Sequence, residues 1–455
     1  MLNDTIIAPA TPQGIGAIAV IRLSGQDAIS ITNRFFQKAS KKSAPLTAQK
    51  THTVHFGHIV APDGEIIDEV LVTLFRAPHS FTKENVVEIS CHGSPFIVER
   101  IIRLFLEAGV RFAKPGEFTQ RAFLNGRFDL AQAEAVADLI AADTESARRS
   151  ALHQMRGGFS NEIKKLREEL INFASLIELE LDFGEEDVEF ADRKQLTDLV
   201  QQIIAFLERL IQSFSLGNVL KNGVPTVIVG KPNAGKSTLL NALLNEEKAI
   251  VSEIPGTTRD FIEDTLVIEG INFRFIDTAG LRQTDDRIEA LGVARTREKM
   301  AQAALVIYLF DMLETSISEV EEAERELKQM GKSYLLVGNK IDKTIPHLPH
   351  HPNIIRISAA ARIGLDELKT ALLKATNARP VAIGETVVTN LRHYEALSNA
   401  HQALTDVLKG LQSHVTADFV AMDIRHALRA LGEILGDITS EDLLGNIFSK
   451  FCIGK

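Results

Sequence analysis

The sequence predicts a multidomain protein that combines α/β and all-α parts. Its 455 residues exceed the usual size of a single hydrophobic core. Residues 1 to about 120 alternate short strand-like and helix-like patterns, which predicts a compact α+β domain. Strong helix formers dominate from about Gly126 to Phe214 and again from about Asn390, and a glycine-rich loop lies between these two stretches. We therefore expect one discontinuous helical bundle with a nucleotide domain inserted into it.

The composition is that of a globular chain from a reducing compartment. Hydrophobic residues make up 45% and charged residues 24%, and the longest apolar runs are too short to span a bilayer. Two cysteines cannot form a disulfide framework. We therefore expect a cytoplasmic protein with no membrane partner. The net charge of −10 argues against a chain that wraps nucleic acid by itself, so any RNA contact should be local or shared with a basic partner.

The central element is a loop between a short apolar run and an apolar helical pattern. It reads Gly-Lys-Pro-Asn-Ala-Gly-Lys-Ser over residues 230–237, which matches a phosphate-binding loop. Gly230 and Gly235 let the backbone direct successive N–H groups at an anion, and the following helix adds its positive end. Lys236 is expected to neutralise the β- and γ-phosphates, and Ser237 to bind magnesium. An ordinary glycine turn is the alternative, which the flanking patterns disfavour.

Two later stretches supply what the phosphates and magnesium require. Asp277-Thr-Ala-Gly280 directly follows an apolar run, where Asp277 can hold magnesium through a water and Gly280 can sense the γ-phosphate. Gly256-Thr-Thr-Arg-Asp260 lies between the loop and Asp277, and its Thr258 is the natural second hydroxyl for magnesium.

Two further stretches indicate that the base is guanine. Asn339-Lys-Ile-Asp342 ends a strand pattern, and Asp342 can accept hydrogen bonds from both N1–H and the exocyclic amine of guanine. Adenine has no N1 proton, so ATP would leave a buried carboxylate unpaired. Ser358-Ala-Ala360 follows the next strand pattern and would offer a backbone N–H to guanine O6. The predicted nucleotide and switch contacts are Asn233, Ala234, Gly235, Lys236, Ser237, Thr238, Ser252, Thr257, Thr258, Asp277, Thr278, Gly280, Asn339, Lys340, Asp342, Ser358, Ala359 and Ala360.

Hydrolysis needs a group that orients the attacking water and a positive charge for the transition state. Small regulatory GTPases place a glutamine directly after Asp-x-x-Gly, but here that position is Leu281, which can do neither. Glu289 is the best acid downstream, with a solvated carboxylate at a helix start as the alternative interpretation. The sequence forces no arginine into the role of an arginine finger.

Motifs along the whole chain resemble those of the MnmE (TrmE) family of tRNA-modification GTPases. The resemblance rests on residues 230–237 above, Ile-Pro-Gly-Thr-Thr-Arg-Asp (254–260), Asp-Thr-Ala-Gly-Leu-Arg (277–282), Pro-Gly-Glu-Phe-Thr-Gln-Arg-Ala-Phe-Leu-Asn (115–125), Asp-Leu-Ala-Gln-Ala-Glu-Ala (129–135) and Phe-Cys-Ile-Gly-Lys (451–455). The GTPase motifs alone would also fit several ribosome-assembly GTPases. The N-terminal and C-terminal motifs single out this family.

The resemblance implies the domain organisation. We expect an N-terminal folate-binding and dimerisation domain over residues 1–120 and a first helical part over 121–221. An inserted P-loop GTPase domain of the Ras-like type would span 222–378, and a second helical part with the terminal motif would span 379–455. The resemblance also implies a homodimer, in which the two nucleotide domains meet when potassium is present.

The resemblance also implies how hydrolysis proceeds without a glutamine or an arginine. A potassium ion held by Asn233 and by carbonyls of Ser252, Ile254 and Thr257 would replace the arginine finger. Glu289 matches the family glutamate that orients the water, which favours its catalytic interpretation alongside Lys236.

A second ligand, 5-formyl-tetrahydrofolate or its methylene form, follows from the resemblance alone. The family contacts correspond to Arg22, Glu88, Arg127 and Lys455, and Arg127 stands where the family commonly has lysine. A surface ion pair on adjacent strands is the alternative for Arg22 and Glu88. A pterin donor pair would suit the Glu88 carboxylate, and a glutamate tail would suit arginine or lysine.

The expected function is therefore a potassium-stimulated GTPase that modifies C5 of the wobble uridine of certain tRNAs. The resemblance implies a flavoprotein partner of the MnmG type, which holds FAD and NADH and joins the homodimer in a heterotetramer or larger complex. The group added would be a folate-derived (carboxymethyl)aminomethyl group. A ribosome-assembly GTPase is the first alternative, and a folate-dependent aminomethyltransferase with a regulatory nucleotide domain is the second.

Overall fold

The computed structural model describes residues 4–39, 44–182, 193–247, 264–276, 298, 300–343, 352–376, 384–413 and 417–454. The chain divides into two compact units. The first comprises Met1–Ala137, Gln154–Val188 and Ile424–Lys455, and the second comprises Asp138–His153 and Glu189–Asp423. Each unit therefore combines segments that are far apart in the sequence.

A seven-stranded sheet organises the N-terminal part of the first unit. Its elements are β1 (Ile6–Pro9), β2 (Ile18–Ser24), α1 (Ala28–Phe35), β3 (Phe36–Lys38), β4 (Thr53–Val60), β5 (Ile66–Phe75), β6 (Val86–His92), α2 (Pro95–Glu107) and β7 (Arg111–Phe112). The strand order is β3-β4-β5-β6-β2-β1-β7, in which only the β1–β7 pair is parallel.

Helices α1 and α2 cover one face of this sheet. Ile21, Val72 and Ile89 point from the strands into the same buried cluster as Phe105 of α2. Side chains on the strands alternate between this face and the opposite one, as the period of two requires. As a result, Val54 and Phe56 of β4 remain more than half exposed on the other face.

A series of helices follows the sheet in the sequence, and these helices are divided between the two units. They are α3 (Glu117–Leu124), α4 (Leu130–Ala141), α5 (Glu145–Met155), α6 (Gly158–Asp182) and α7 (Arg193–Asn222). In α4, Leu130, Ala133 and Ala137 lie on one stripe of a cluster that also contains Phe448. The helical spacing of Leu130, Ala133, Ala137 and Ile140 predicts that all four lie on one buried stripe, but Ile140 is 44% exposed and only the other three contact this cluster.

The nucleotide domain of the second unit is built on a six-stranded sheet. Its elements are β8 (Val224–Val229), α8 (Lys236–Glu247), β9 (Asp264–Ile268), β10 (Ile271–Phe275), β11 (Leu305–Asp311), α9 (Ile317–Gln329), β12 (Ser333–Asn339), β13 (Ile354–Arg356) and α10 (Leu365–Ala375). The order is β13-β12-β11-β8-β10-β9, and all neighbours are parallel except the β9–β10 hairpin. Parallel strands end at one edge, so the loops after β8, β12 and β13 share that edge.

Both faces of this sheet are buried, which explains the continuous apolar runs in its strands. Along β11, Leu305, Ile307 and Leu309 belong to one buried cluster. Val306 and Phe310 belong to the cluster on the opposite face.

The chain ends in α11 (Leu391–Gln412), α12 (Ala417–Leu435) and α13 (Glu441–Phe448). Helix α11 packs against α7 in the second unit. A Cβ on Gly217 of α7 would lie 1.9 Å from the carbonyl oxygen of Val388, so this close approach requires glycine. Helices from before and after the nucleotide domain therefore pack together, and the predicted boundaries at 120, 221 and 378 remain predictions.

Within the described part of the chain, α7 is the one helix long and apolar enough to cross a membrane by length and composition. Its buried residues Leu196, Val200, Ile203 and Leu207 follow helical spacing on one face. Its Glu208 bonds His401 of α11 at 3.2 Å. A stripe of this kind is typical of a helix packed inside a folded domain.

Candidate functional site

The loop after β8 has a backbone that only glycine can form at two positions. A Cβ on Gly230 would lie 1.9 Å from the carbonyl oxygen of Leu309, and one on Gly235 would lie 2.3 Å from Nδ2 of Asn339. Gly230 and Gly235 also have φ angles of 153° and 97°. The loop is therefore pressed against β11 and β12, and it leads directly into the N-terminus of α8.

Lys236 folds back over this loop. Its Nζ donates to the carbonyl oxygens of Gly230 and Lys231, each at 2.8 Å. Burial lowers the pKa of the Lys236 ammonium, and both bonded partners are neutral carbonyls. A half-buried cation whose described hydrogen bonds go only to neutral carbonyls favours an anion beside it. The arrangement suits a phosphate group.

The side chain of Asn339 connects two loops at the edge of the sheet. Its Nδ2 donates to the carbonyl oxygen of Ala234 at 2.8 Å, and its Oδ1 accepts from the Ala359 N–H at 3.0 Å. Asn339 is 3% exposed, so water does not compete for these bonds. The phosphate-type loop and the loop after β13 are thereby held in a fixed relation.

Asp342 lies beside this junction, where it is exposed rather than buried as expected from the sequence, and its carboxylate is oriented by a hydrogen bond. The buried Ser358 hydroxyl donates to its Oδ1 at 2.6 Å, and this bond lowers the pKa of Asp342. Ser358 Oγ in turn accepts from the Ala361 N–H at 3.1 Å. The carboxylate is therefore ionised at neutral pH and can accept two hydrogen bonds from a planar base.

The described members of the predicted nucleotide site come together at this edge. Those residues are Asn233, Ala234, Gly235, Lys236, Ser237, Thr238, Asn339, Lys340, Asp342, Ser358, Ala359 and Ala360. Asn233 and Thr238 are exposed, Ser237 is half-buried, and Asn233 adopts φ 61°. Outside the described residues lie Ser252, Ile254, Thr257, Thr258, Asp277, Thr278, Gly280, Leu281 and Glu289.

Sequence reasoning missed Asp311 at the end of β11. It accepts from Lys340 Nζ at 2.6 Å and from the Leu313 N–H at 2.9 Å. Burial alone would raise the pKa of Asp311, but the bond from Lys340 and the Leu313 N–H outweigh burial and lower it. The sequence does show an acidic residue at the end of an apolar strand. The contact of Asp311 with Lys340 depends on β11 lying beside β12, and the sequence does not give this strand order.

A second cluster of predicted residues lies in the first unit. Arg22 of β2 pairs across the strands with Glu88 of β6, and its Nε and Nη2 donate to Glu88 Oε1 at 2.9 and 2.8 Å. Arg22 Nη1 also donates to the carbonyl oxygen of Gly454 at 3.3 Å. Arg127 donates to the carbonyl oxygen of Ser80, and burial lowers the pKa of its guanidinium.

Two phenylalanine rings that the sequence analysis did not single out contact the guanidinium groups of this cluster. The guanidinium carbons of Arg22 and Arg127 lie 5.7 and 5.1 Å from the centroid of the Phe81 ring. Phe118 lies 5.8 Å from Arg22 on another side. The structure thus brings Arg22, Glu88 and Arg127 together around Phe81. Lys455 lies outside the described residues, one position after Gly454.

A buried ionic network supports this second cluster. Arg121 is 1% exposed and donates to Asp4 Oδ1 at 2.7 Å and Glu117 Oε1 at 3.0 Å. Burial alone would raise the pKa of Glu117, but bonds from Arg111 and Arg121 outweigh it and lower the pKa. The network fixes α3, which carries Phe118, to the start of the chain.

Comparisons with known proteins cover the full chain. The family model described as the MnmE helical domain matches residues 130–452, and that described as the GTP-binding protein TrmE N-terminus matches residues 5–127. The tRNA modification GTPase MnmE of Cytophaga hutchinsonii is 62% identical over 457 residues, covering 100% of this chain and 98% of that protein. The protein of the same name from Flavobacterium psychrophilum is 54% identical, covering 100% of this chain and 99% of that protein.

Among solved structures, the FeoB G-domain from Methanococcus jannaschii covers 34% of this chain and 97% of that chain. The identity is 22% and the TM-score is 0.25. A TM-score of this size does not identify a fold, so the nucleotide domain is assigned from its own strand order and loop.

The Gly235→Ala variant tests the close approach of the loop to Asn339. The added methyl would meet Asn339 Nδ2 at 2.3 Å and displace it, so we expect guanine-nucleotide affinity to fall by roughly tenfold or more, as expected for a broken buried hydrogen bond. Titration with a fluorescent nucleotide measures the affinity, and thermal unfolding measures the stability of the variant. Gly331→Ala is the matched control, because Gly331 also has positive φ but nothing within 4 Å of its Cβ position. Equal effects of both changes on affinity would contradict the proposed clash.

Proposed function

Starting from the fact that the chain belongs to the MnmE family of tRNA modification GTPases, we propose that its loop at residues 230–237 and the residues around Asn339 bind GTP for hydrolysis. The observation that supports this most strongly is the pair of hydrogen bonds that the Asn339 side chain makes to the backbone of Ala234 and Ala359. It holds a loop suited to phosphate beside a loop suited to a base. A nucleotide can therefore span both.

Guanine is the base that this site suits. The Asp342 carboxylate, oriented by Ser358, would accept from guanine N1–H and the exocyclic amine. The Ala360 N–H would serve guanine O6, because the Ser358 and Ala359 N–H groups already donate to the Ile363 carbonyl oxygen and to Asn339 Oδ1. Adenine offers no N1 proton, so its binding would leave an acceptor unpaired.

The chain supplies several groups for hydrolysis. Lys236 would stabilise charge on the β- and γ-phosphates, and the Ser237 and Thr258 hydroxyls would hold Mg²⁺, which neutralises phosphate charge when bound. Asp277 would fix the magnesium through a water, and Gly280 would respond to the γ-phosphate. Glu289 would orient the attacking water, which Leu281 cannot do.

A potassium ion would take the place of an arginine finger. Asn233 and the carbonyls of Ser252, Ile254 and Thr257 would hold it, and its charge would stabilise the transition state when bound. Asn233 fits this role in one respect, because it is exposed and adopts a left-handed backbone conformation within the loop.

The cluster around Phe81 is proposed to bind 5-formyl- or methylene-tetrahydrofolate, which supplies a one-carbon unit when bound. Glu88 would accept the donor pair of the pterin, as a carboxylate does. Arg22, Arg127 and Lys455 would hold anionic parts of the ligand. The residues fit the ligand because Arg127 is exposed and bonded to the neutral Ser80 carbonyl, so its charge is open to an anionic part of the ligand.

We further propose a homodimer that forms through the N-terminal domains. The uncovered face of the seven-stranded sheet exposes Val54, Phe56 and Leu71, and Phe56 and Leu71 are directly paired across β4 and β5. Adjacent exposed apolar side chains of this kind favour burial against another protein surface.

In the complete reaction, the dimer would act in the cytoplasm with a flavoprotein of the MnmG type. The partner would hold FAD and NADH, and the two proteins would form a heterotetramer or larger complex. Together they would add a folate-derived (carboxymethyl)aminomethyl group to C5 of the wobble uridine of certain tRNAs. The net charge of −10 is consistent with an RNA contact shared between subunits rather than made by this chain alone.

Asp342→Asn should shift nucleotide preference from GTP toward xanthosine triphosphate. Loss of two charge-assisted bonds should lower GTP affinity by roughly a hundredfold, and the new amide can donate to xanthine O2. Competition between the two nucleotides for a fluorescent analogue measures the change. Asp366→Asn, which alters an exposed carboxylate in the same domain, should leave selectivity as it is. Unchanged selectivity in Asp342→Asn would reject the guanine assignment.

Replacing potassium with sodium should slow GTP hydrolysis by at least about tenfold, because an arginine finger contributes more than this to catalysis. The rate of phosphate release measures the effect. Asn233→Gly removes the side chain while preserving the positive φ, and it should make the rates in the two salts similar. Equal rates for the wild-type chain in potassium and sodium would remove Asn233 from a cation site.

Arg22→Ala combined with Glu88→Ala should weaken folate binding by about a hundredfold or more, since each charge-assisted bond contributes about 1.5–3 kcal/mol. Removing both partners avoids leaving one buried charge unpaired. Calorimetry with 5-formyl-tetrahydrofolate gives the affinity, and GTP binding should persist. Arg100→Ala with Glu65→Ala is the control, because it removes an exposed ion pair from the same unit. Folate affinity retained in the first variant would place the site elsewhere.

A further inference from the structure

The β9–β10 hairpin occupies a special place in the chain. Residues 248–263, which contain Thr258, directly precede Asp264 at the start of β9. Asp277 lies two residues after Phe275, the last residue of β10. The hairpin is thus the direct covalent connection between two stretches predicted to contact magnesium and the γ-phosphate.

The tip of this hairpin contacts a helical segment outside the nucleotide domain, residues 138–153. Asn272 Nδ2 of β10 donates to Asp143 Oδ2 at 2.5 Å. Gly270, in the turn, lies so close to α5 that a Cβ there would sit 2.6 Å from Ser146 Oγ. Asn272 is 6% exposed, whereas Asp143 is exposed in the loop between α4 and α5. The charged acceptor makes this a strong bond by comparison with a neutral pair.

Segment 138–153 is also bound to the chain on both sides of the nucleotide domain. Asp138 pairs with Lys221 at the end of α7 at 2.8 Å and accepts from Thr389 Oγ1 at 3.4 Å. His153 contacts Thr386 Oγ1 at 3.3 Å. The segment therefore holds the entrance and exit of the nucleotide domain, and Asn272 ties the hairpin to the same support.

A cavity of about 260 Å³ surrounds these contacts, lined by Asp138, Asp143, Lys221, Asn272 and Thr389 among others. Asn272 Oδ1 is buried and has no hydrogen-bond partner in the described part of the chain. A close-packed interior resists small displacements, but a cavity of this size can hold several waters and lets the hairpin shift. A half-satisfied buried amide contributes little to stability, which points to a role in positioning.

We propose that the Asn272–Asp143 hydrogen bond couples the nucleotide site to segment 138–153, with Asn272 acting as a positioning residue for GTP hydrolysis. Asp143 holds the Asn272 side chain by the hydrogen bond, and Asn272 is part of β10. The chain continues from β10 to Asp277 through Ile276. Coupling is reciprocal, so the γ-phosphate state also changes the constraint on segment 138–153. The inference rests on the proposed GTP site.

The test compares steady-state GTP hydrolysis by the full-length wild-type chain, Asn272→Asp, and the exchanged pair Asp143→Asn with Asn272→Asp. The single change places two carboxylates against each other, and the exchange restores one donor and one acceptor. We expect kcat to fall by about tenfold in Asn272→Asp, within the usual range of coupling, with KM and GDP affinity changed less than about twofold. The exchanged pair should recover most of the wild-type kcat.

Asp138→Asn is the matched control, since Asp138 lines the same cavity but bonds Lys221 and Thr389 rather than Asn272. It should lower the unfolding temperature without changing kcat. Should Asn272→Asp fail to fold, Asp143→Ala alters only an exposed side chain and should also lower kcat several-fold. Hydrogen exchange of peptide 138–153 should differ between GDP and a GTP analogue in the wild type, and this difference should vanish in the folded single variant.

An unchanged kcat in a folded Asn272→Asp or Asp143→Ala variant would overturn the proposal. So would an exchanged pair that folds but hydrolyses no faster than the single variant. If the wild-type chain itself fails to bind or hydrolyse GTP, the proposed function falls and the coupling falls with it. That result is distinguishable, because it appears before any variant is compared.

Discussion

The amide of Asn339 is the interaction on which the nucleotide site depends. It donates to a carbonyl in the loop after β8 and accepts from an N–H in the loop after β13, at 2.8 and 3.0 Å. Aspartate could not donate the first bond, and leucine could make neither. Because the side chain is buried, each bond is protected from water. The absence of a Cβ at Gly235 follows from the same contact, since a methyl there would collide with Asn339.

In both candidate sites a cationic side chain donates hydrogen bonds to backbone carbonyl oxygens. The half-buried Lys236 bonds two backbone carbonyls and the exposed Arg127 bonds one, so neither cation is paired with a carboxylate in these bonds. Burial lowers the pKa of both groups. A bound anion would supply the missing counter-charge and relieve the cost of burial. Phosphates in one site and an anionic folate in the other are chemically consistent with this arrangement.

Much of this organisation could be predicted from the sequence, because phosphate loops and strand-end motifs are local patterns. The predicted combination of α/β and all-α parts is confirmed, and so is membership of the family. Asp311, Phe81 and Asn272 could not be predicted, since their roles depend on which strands and helices become neighbours. The division of the helices between two units also depends on long-range packing. The roles of Ser252, Ile254, Thr257, Thr258, Asp277, Thr278, Gly280, Glu289 and Lys455 stay predictions.

The most direct measurement of the central claim is the exchange rate of the Ala359 amide proton in the wild-type chain and in Asn339→Leu. Leucine has the same number and branching of side-chain heavy atoms but can neither donate nor accept, so it removes both bonds without opening a cavity. The account predicts that Ala359 exchanges at least about tenfold faster in the variant, and that guanine-nucleotide affinity falls with it. An Ala359 amide equally protected in both proteins would contradict the claim that Asn339 joins the two loops.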